Sequence, residues 1–420
     1  LDTRRQTSEA RQSWTTQQCQ EIADLFEEVS DDTSAGIAEA IYARGVTFQQ
    51  CNLHDQAKEA FKKALEMRAD YPPALIQLGL YALLDGNTSE ANRMFEKAYQ
   101  TDITAYEAYI NLGVMAFDRG LFRPGQPAGA EMTADLLIGS ALAVQADAVV
   151  ALENLARFFF DYSQQSETNQ RFRRFSLLVC QYALLKNVKY APVYNLRGLI
   201  FLAEQNIRAA IGDFRKAFEL DPDFYEAYMN YASLNLGFRG YEQAYSAYEQ
   251  ALRVRPDSYD ALIGIGVSIR GLASEQEAAV ADGAFIEGTR FTYDLAIQKY
   301  EAAKQLDAAR PEAWFNIALI QHRFGNITQC HGYAPAITTY QEALSRCRAA
   351  QPNGSGIDYR ALETEIQSNL DRATKDDDTL CQIAEAEVQM AAANAEMERQ
   401  EALIREQEAA AAAAAAAQGG

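Results

Sequence analysis

The thiol and imidazole side chains of this sequence are its candidates for nucleophilic chemistry or for binding zinc. The cysteines are Cys19, Cys51, Cys180, Cys330, Cys347 and Cys381, and the histidines are His54, His322 and His331. No two cysteines have Cys-x-x-Cys spacing, and the adjacent Cys330 and His331 have no further ligands at the spacing of a zinc site. The sequence therefore predicts no metal site and no cofactor, and it leaves disulfide formation as the main chemistry of the thiols.

Motifs of the common catalytic centres are also missing from the sequence. It has no phosphate-binding glycine loop, no Gly-x-Ser-x-Gly turn and no His-Glu-x-x-His motif. The formal net charge of −20 argues against nucleic acid binding, because contact with phosphates needs clustered Lys and Arg. A short basic run at Arg171, Arg173 and Arg174 is interpreted as a solvated helix face, with docking of an acidic partner as the alternative. We expect a protein that is not an enzyme.

The elements that must position these residues follow one repeating pattern. A small residue is followed by an alanine, then usually by an aromatic residue four positions later and a second alanine three positions after that. One copy has Gly198, Ala210, Phe214 and Ala217, and the next has Ala232, Ala244, Tyr248 and Ala251. Small residues let two helices approach closely, and we expect the aromatic residues to fill the space between one helix pair and the next. The pattern predicts a stack of helical hairpins.

This pattern, with its period of about 34 residues, resembles the tetratricopeptide repeat (TPR) superfamily. The resemblance implies an all-α fold, a right-handed TPR α-solenoid of about eight helix-turn-helix repeats with capping helices and a long C-terminal helix. The repeats are predicted at residues 38–71, 72–105, 106–148, 149–190, 191–224, 225–258, 259–310 and 311–350. The copies at 106–148 and 149–190 are degenerate.

Capping helices are predicted on both sides of the repeats, because the end of an array otherwise exposes its apolar face. Residues 1–37 contain an N-terminal capping helix with the apolar stripe Trp14, Ile22, Leu25 and Phe26. Residues 351–377 contain a linker at 351–357 and a C-terminal capping helix with Leu362, Ile366 and Leu370. Residues 378–420 are predicted as a separate Glu/Ala-rich helix and tail, which is either frayed and solvated or a helix that docks a partner.

Helix lengths favour two disulfides. A helix over about residues 8–29 and its neighbour over 36–50 bring Cys19 and Cys51 to similar heights, at about 1.5 Å of rise per residue. Cys330 lies in the loop of the last repeat, and Cys381 is expected near the same rim, whereas Cys347 is about 20 Å from Cys330. Cys180 occupies a position that is usually aromatic, which predicts a buried free thiol. The disulfides would indicate an oxidising compartment, and reduced core cysteines remain the alternative.

Four repeats are longer than the period, namely those that start at residues 106, 149, 259 and 311. The additions are predicted between the first and second helix of each repeat, on one rim of the solenoid. Residues 121–130, with Phe122, Pro124 and Pro127, are the strongest candidate for an ordered loop. Binding of a specific partner and neutral loop drift explain such additions equally well.

The first helices of the repeats are expected to line a concave groove. In the second and third repeats the groove positions are Ile76, Leu80, Leu83, Ile110, Val114 and Phe117. Such an apolar set accepts an amphipathic helix or an extended peptide, and the leading or trailing helix of the chain itself is the competing occupant. Family members that bind chaperone tails carry Lys at the fifth position of this helix. Here that position holds Tyr42, Ile76, Ile110, Glu153, Asn195, Met229, Ile263 and Phe315, which disfavours chaperone binding.

The chain resembles the exported TPR lipoproteins of Gram-negative bacteria in its acidic balance, its flanking cysteines and its Glu/Ala-rich tail. In overall layout it is similar to the TPR lipoprotein of the adventurous gliding motility machinery of myxobacteria. The resemblance implies a scaffold for envelope proteins, in the periplasm or at the inner leaflet of the outer membrane. No signal peptide is recognised, and contact with a membrane is expected only through a lipid anchor outside this chain. The alternatives are a pilotin-like assembly factor for a pilus secretin and a cytosolic adaptor or co-chaperone.

Overall fold

A computed structural model describes residues 15–31, 37–125, 132–281, 290–350 and 358–418. Within these ranges every regular element is helical, and none of the helices has both the length and the apolar character needed to cross a bilayer. Trp14, Pro127 and the predicted linker at 351–357 lie outside the described residues. The chain forms two compact units, Leu1–Tyr231 and Ala232–Gly420, and the division falls within the helix Tyr225–Gly237.

The first unit consists of consecutive helices that pack in sequence order. They are α1 (Thr16–Asp31), α2 (Ala38–Gln50), α3 (His54–Met67), α4 (Pro72–Leu84), α5 (Thr88–Thr101), α6 (Tyr106–Asp118), α7 (Ala134–Val144), α8 (Val149–Gln164), α9 (Phe172–Lys186), α10 (Ala191–Ala203) and α11 (Ile207–Leu220). A 3₁₀ turn at Glu167–Asn169 precedes α9, and α12 (Tyr225–Gly237) begins in this unit. From α2 onward, each first helix begins at the residue that opens a predicted repeat, and it packs against the helix that follows it in the same hairpin.

Close contact between a glycine and an aromatic ring holds the regular hairpins together. A Cβ atom on Gly45 would lie 2.6 Å from Cε1 of Phe61, and one on Gly198 would lie 2.6 Å from Cε1 of Phe214. The aromatic ring therefore covers the glycine of its own hairpin. We expected the aromatic residues to fill the space between hairpins, and the ring centroid of Phe61 also lies 6.3 Å from that of Tyr81 in the next hairpin. A larger residue at either glycine would separate the two helices.

The degenerate hairpin of α8 and α9 replaces this contact with polar and thiol groups. Ser176 is fully buried, and its hydroxyl donates a hydrogen bond of 2.6 Å to the carbonyl of Ala156. Cys180 occupies the aromatic position as a buried free thiol, and burial raises its pKa to about 12. The hairpin is therefore closed by a hydrogen bond between its helices where the regular hairpins use an aromatic ring.

The second unit continues the same order of packing. Its helices after α12 are α13 (Tyr241–Val254), α14 (Tyr259–Ala281), α15 (Tyr293–Leu306), α16 (Pro311–Arg323), α17 (Ala334–Ala350) and α18 (Arg360–Gln418). Consecutive helices pack against each other, and α18 packs against α17 and α16. In both units the described residues thus confirm the prediction of an all-α fold built from paired helices.

Two predictions about the added residues and the C-terminal region differ from the structure. Part of the addition after residue 259 extends the first helix itself, because α14 has 23 residues where α10 has 13. The C-terminal cap and the tail are one helix of 59 residues, α18, with no break near residue 378. The change to a Glu/Ala-rich composition suggested a boundary near residue 378, but neither Gly nor Pro is present there to end a helix.

The apolar stripe predicted for the leading helix is also corrected. Cys19 and Ala23 are fully buried on the face of α1 that packs against α2, whereas Leu25 is 59% exposed. Leu25 lies two positions after Ala23, which places it about 200° around the helix and therefore on the solvent side. Hydrophobicity alone selected the wrong residue, because the small residues Cys19 and Ala23 permit the close contact.

Candidate partner-binding groove

The predicted groove residues lie on one face of each of two successive first helices. Ile76, Leu80 and Leu83 are spaced four and three residues apart on α4, and Ile110, Val114 and Phe117 repeat this spacing on α6. That spacing returns to the same side of a helix after each turn. All six side chains belong to a single apolar cluster of the first unit.

Burial divides these six residues into two sets. Ile76 and Ile110 are buried in the cluster and serve as core. Leu80, Leu83 and Val114 are half-buried, so they keep apolar surface in contact with solvent while their inner atoms pack on the core. We define the groove as these three residues together with Phe117. It is a firm apolar surface, because the residues beneath it are close-packed.

Phe117 lies at the end of the groove, within an aromatic cluster. Its ring stacks on that of Phe158 in α8, with centroids 4.2 Å apart and an interplanar angle of 5°. Phe122, from the loop after α6, packs edge-on against both rings with centroids 5.6 and 5.8 Å away. Phe122 also contacts Phe159 and Tyr162, and only 6% of its surface is exposed. Phe122 therefore covers one end of the groove.

Sequence reasoning missed this aromatic cluster. The signal was the run of three phenylalanines at residues 158–160 in the first helix of a degenerate repeat. Phe122 was noted only as a sign of order in the loop, and its insertion between two hairpins depends on contacts that are distant in sequence. Burial raises the pKa of Asp161 beside the cluster, an effect that the positive charge of Arg157 opposes.

Polar contacts stabilise the helices of the first unit near and after the aromatic cluster. Glu153, at the fifth position of α8, is buried and accepts a hydrogen bond of 3.4 Å from the hydroxyl of Tyr190. Arg197 donates two hydrogen bonds, of 2.6 and 2.8 Å, to the carboxylate of Asp213 within the hairpin of α10 and α11. The bond to Asp213 raises the pKa of Arg197 although burial opposes it. The pair of Arg197 and Asp213 thus lies within one hairpin, whereas Glu153 is bonded to the residue that precedes the next hairpin.

The structure places the four candidate cysteines in disulfides. Cys19 is bonded to Cys51, with Cα atoms 6.4 Å apart, and Cys330 is bonded to Cys381, with Cα atoms 4.2 Å apart. Cys180 and Cys347 are buried free thiols. His331 lies next to the second bond, with its Nδ1 3.9 Å from Sγ of Cys381 and 3.1 Å from Oδ2 of Asp377. The two sulfur atoms are joined to each other, which removes them as thiolate ligands for a metal.

Comparison with known proteins identifies repeats at two places. The family model of the tetratricopeptide repeat matches residues 38–71 and 191–224. These two segments are the hairpins of α2 with α3 and of α10 with α11. The chain therefore contains tetratricopeptide repeats, as its spacing pattern predicts.

Solved structures of TPR proteins are similar to parts of the chain at low identity. A thermophilic TPR protein of Thermus thermophilus is 21% identical over 48% of this chain and 100% of that one, with a TM-score of 0.41. A TPR protein of Parabacteroides merdae is 15% identical over 72% of this chain and 98% of that one, with a TM-score of 0.43. Pseudomonas aeruginosa pilF is 18% identical over 62% and 97% of the two chains, with a TM-score of 0.41. Likeness at this level does not indicate what this chain binds.

Proposed function

We propose that this protein is a non-catalytic scaffold that binds other proteins through the groove on α4 and α6. The observation that carries the proposal is the half-buried apolar surface of Leu80, Leu83 and Val114 on the first helices of two successive hairpins. Apolar side chains in contact with water gain free energy when a partner covers them, at about 25 cal/mol per Å². A surface of this kind fits the apolar face of an amphipathic helix or alternate side chains of an extended peptide.

We further propose that the scaffold belongs to the bacterial envelope, in the periplasm or at the outer membrane, as a component of a motility or secretion machine such as a gliding apparatus. The two disulfides support an oxidising compartment, because such bonds rarely persist in the cytosol. Mass-spectrometric mapping of the native protein, with thiols blocked at lysis, tests this assignment. Finding Cys19, Cys51, Cys330 and Cys381 as free thiols would contradict it and favour a cytosolic adaptor.

Two neighbouring leucines give a matched test of the groove. Leu83 is half-buried on the groove face of α4, whereas Leu84 is 63% exposed on another face. Leu83→Asp should reduce capture of groove partners from the native envelope fraction by about tenfold or more, because a carboxylate cannot be buried unpaired against apolar atoms. Leu84→Asp introduces the same charge one residue away and should leave capture unchanged.

The readout is the set of proteins retained by the immobilised full chain, identified by mass spectrometry, with helical circular dichroism as the check on folding. The double variant Leu80→Asp/Val114→Asp should lose the same proteins as Leu83→Asp. Equal capture by wild type and both groove variants would show that partners bind elsewhere.

A further inference from the structure

Helix α9 carries an apolar stripe on its exposed side. Phe175, Leu178, Tyr182 and Leu185 are spaced three, four and three residues apart, and their exposed fractions are 50, 60, 43 and 82%. This spacing keeps them on one face, opposite the buried Ser176, Cys180 and Ala183 that pack within the unit. Single exposed apolar residues are common on proteins, but a continuous stripe of this kind marks a surface for interaction.

The charges around this stripe have the opposite sign from those of the chain as a whole. Residues 168–203 contain six Lys and Arg and no Asp or Glu, in a chain with 58 acidic residues. Arg171 and Arg174 are exposed at the start of the helix and Lys186 is exposed at its end. Arg173 turns inward and donates to the carbonyl of Ala203 at 3.2 Å. The α9 face, defined as the stripe with Arg171, Arg174 and Lys186, is therefore apolar along its length and basic at both ends.

A surface with the complementary character lies on α18. Ile383, Met390 and Met397 are exposed and spaced seven residues apart, which places them on one face of the helix. Glu387 and Glu398 are exposed and lie beside this stripe, each within about 100° of it around the helix. We define the α18 face as these five residues. It is apolar along its length and acidic at its edge.

We propose that the α9 face of one copy binds the α18 face of a second copy. Arg174 and Lys186 are 12 positions apart, or about 18 Å along the helix, and Glu387 and Glu398 are 11 positions apart, or about 17 Å. Two helices packed side by side can therefore pair both charges while their apolar stripes cover each other. The contact joins different surfaces of the two copies, so each copy offers one of each and the association can extend beyond a dimer.

A lipid surface is the other class of partner that apolar and basic helix faces bind. The net charge of −20 opposes approach to an anionic membrane, whereas the α18 face supplies carboxylates for the basic ends of the α9 face and an apolar stripe that can cover its apolar residues. The proposal is independent of the groove on α4 and α6, because it uses neither helix.

Sedimentation velocity of the purified full chain with its disulfides intact tests the contact. Wild type should associate as its concentration rises, and added salt should weaken the association because exposed charges are screened. Arg174→Glu/Lys186→Glu and Glu387→Lys/Glu398→Lys should each lower the association constant by about tenfold or more. Lys62→Glu/Arg93→Glu changes the net charge as the first variant does, on the exposed sides of α3 and α5, and should associate as wild type.

Mixing the two interface variants provides the decisive measurement. Arg174→Glu/Lys186→Glu has an acidic α9 face, which can pair with the basic α18 face of Glu387→Lys/Glu398→Lys. The two unchanged faces are also complementary, so the mixture should associate although neither variant does alone. Wild type that stays monomeric at every concentration and salt would overturn the proposal, including a monomer that cosediments with vesicles of anionic phospholipid. Association that survives Arg174→Glu/Lys186→Glu would overturn it as well.

Discussion

The two disulfides attach two helices, α1 and α18, in different ways. Cys19 is fully buried in the contact of α1 with α2, so the first bond lies within the packing of a short helix. The second bond joins the loop before α17 to α18, beside His331, whose side chain is 76% exposed. Before it reaches Cys381, α18 is already held by an apolar cluster that includes Ile366, Leu370 and Ala373.

The chain entropy that each disulfide removes from the unfolded state predicts similar stabilisation from the two bonds. The cysteines are 32 and 51 residues apart, and the loop model assigns each bond about 4 kcal/mol of stabilisation. Local packing therefore decides what each bond does. Helix α1 buries few side chains and therefore depends on its disulfide. The start of α18 is already held by apolar packing, so its disulfide is expected to fix only the end of the packed region.

Removal of each disulfide should show this difference most strongly. In Cys19→Ala/Cys51→Ala, we expect the first unit to lose about 2–5 kcal/mol of stability and the amides of α1 to exchange freely. In Cys330→Ala/Cys381→Ala, residues 360–373 should remain protected, and only the loop before α17 and the part of α18 around Cys381 should open. Hydrogen exchange read by mass spectrometry measures both. Equal protection of α1 with and without its bond would contradict the comparison.

Asp377 gives a smaller and more local test of the second attachment. Its side chain is 8% exposed, and its carboxylate accepts a hydrogen bond of 3.0 Å from the amide of Tyr333. Asp377→Ala leaves that amide without its acceptor, which should cost about 1–3 kcal/mol and make the bond at Cys381 easier to reduce. The neighbouring Asp378 is exposed, so Asp378→Ala is the control.

The measurement is a titration with reductant in which each disulfide is followed by mass spectrometry. Asp377→Ala should shift reduction of the second bond to lower reductant, while the Cys19–Cys51 bond and the Asp378→Ala variant stay as in wild type. If the two aspartate variants behave alike, Asp377 does not hold the loop.

The hairpins and the paired cysteines could be predicted from the sequence because both depend on short-range geometry. Gly198 and Phe214 lie in one hairpin, so their spacing in the sequence reflects the contact between its two helices. The same holds for Cys19 and Cys51, which the lengths of two adjacent helices bring together.

Other features depend on which residues pack rather than on how apolar they are. Leu25 is exposed because the close contact of α1 with α2 selects the small residues Cys19 and Ala23. Phe122 covers the end of the groove through contacts with Phe158 of the next hairpin, and no local pattern encodes that insertion. The exposed stripe of α9 was readable in the sequence, but only burial shows that the apolar residues Leu178 and Leu185 face solvent.

The smallest expected effect concerns acid and the ion pairs of α1. The carboxylate of Glu27 lies 2.8 Å from Nη2 of Arg44 in α2 and 2.9 Å from Nζ of Lys63 in α3. The hydrogen bond from Lys63 and the charges of both cations hold the pKa of Glu27 below its ordinary value, although burial opposes them. A carboxyl with a lowered pKa in the folded state stabilises that state above its unfolded pKa of about 4.3, and this contribution is lost as the pH falls through the folded pKa. Because the side chains of Glu27 and Lys63 are 31% and 46% exposed, solvent screens their attraction and we expect less than about 1 kcal/mol. We therefore measure how amide exchange of α1 changes with acid pH in Cys19→Ala/Cys51→Ala, where no disulfide masks the effect. Adding Glu27→Gln should make protection of α1 less dependent on pH, and adding Glu28→Gln should not. If the pH dependence with Glu27→Gln is unchanged, the ion pairs of Glu27 do not hold α1.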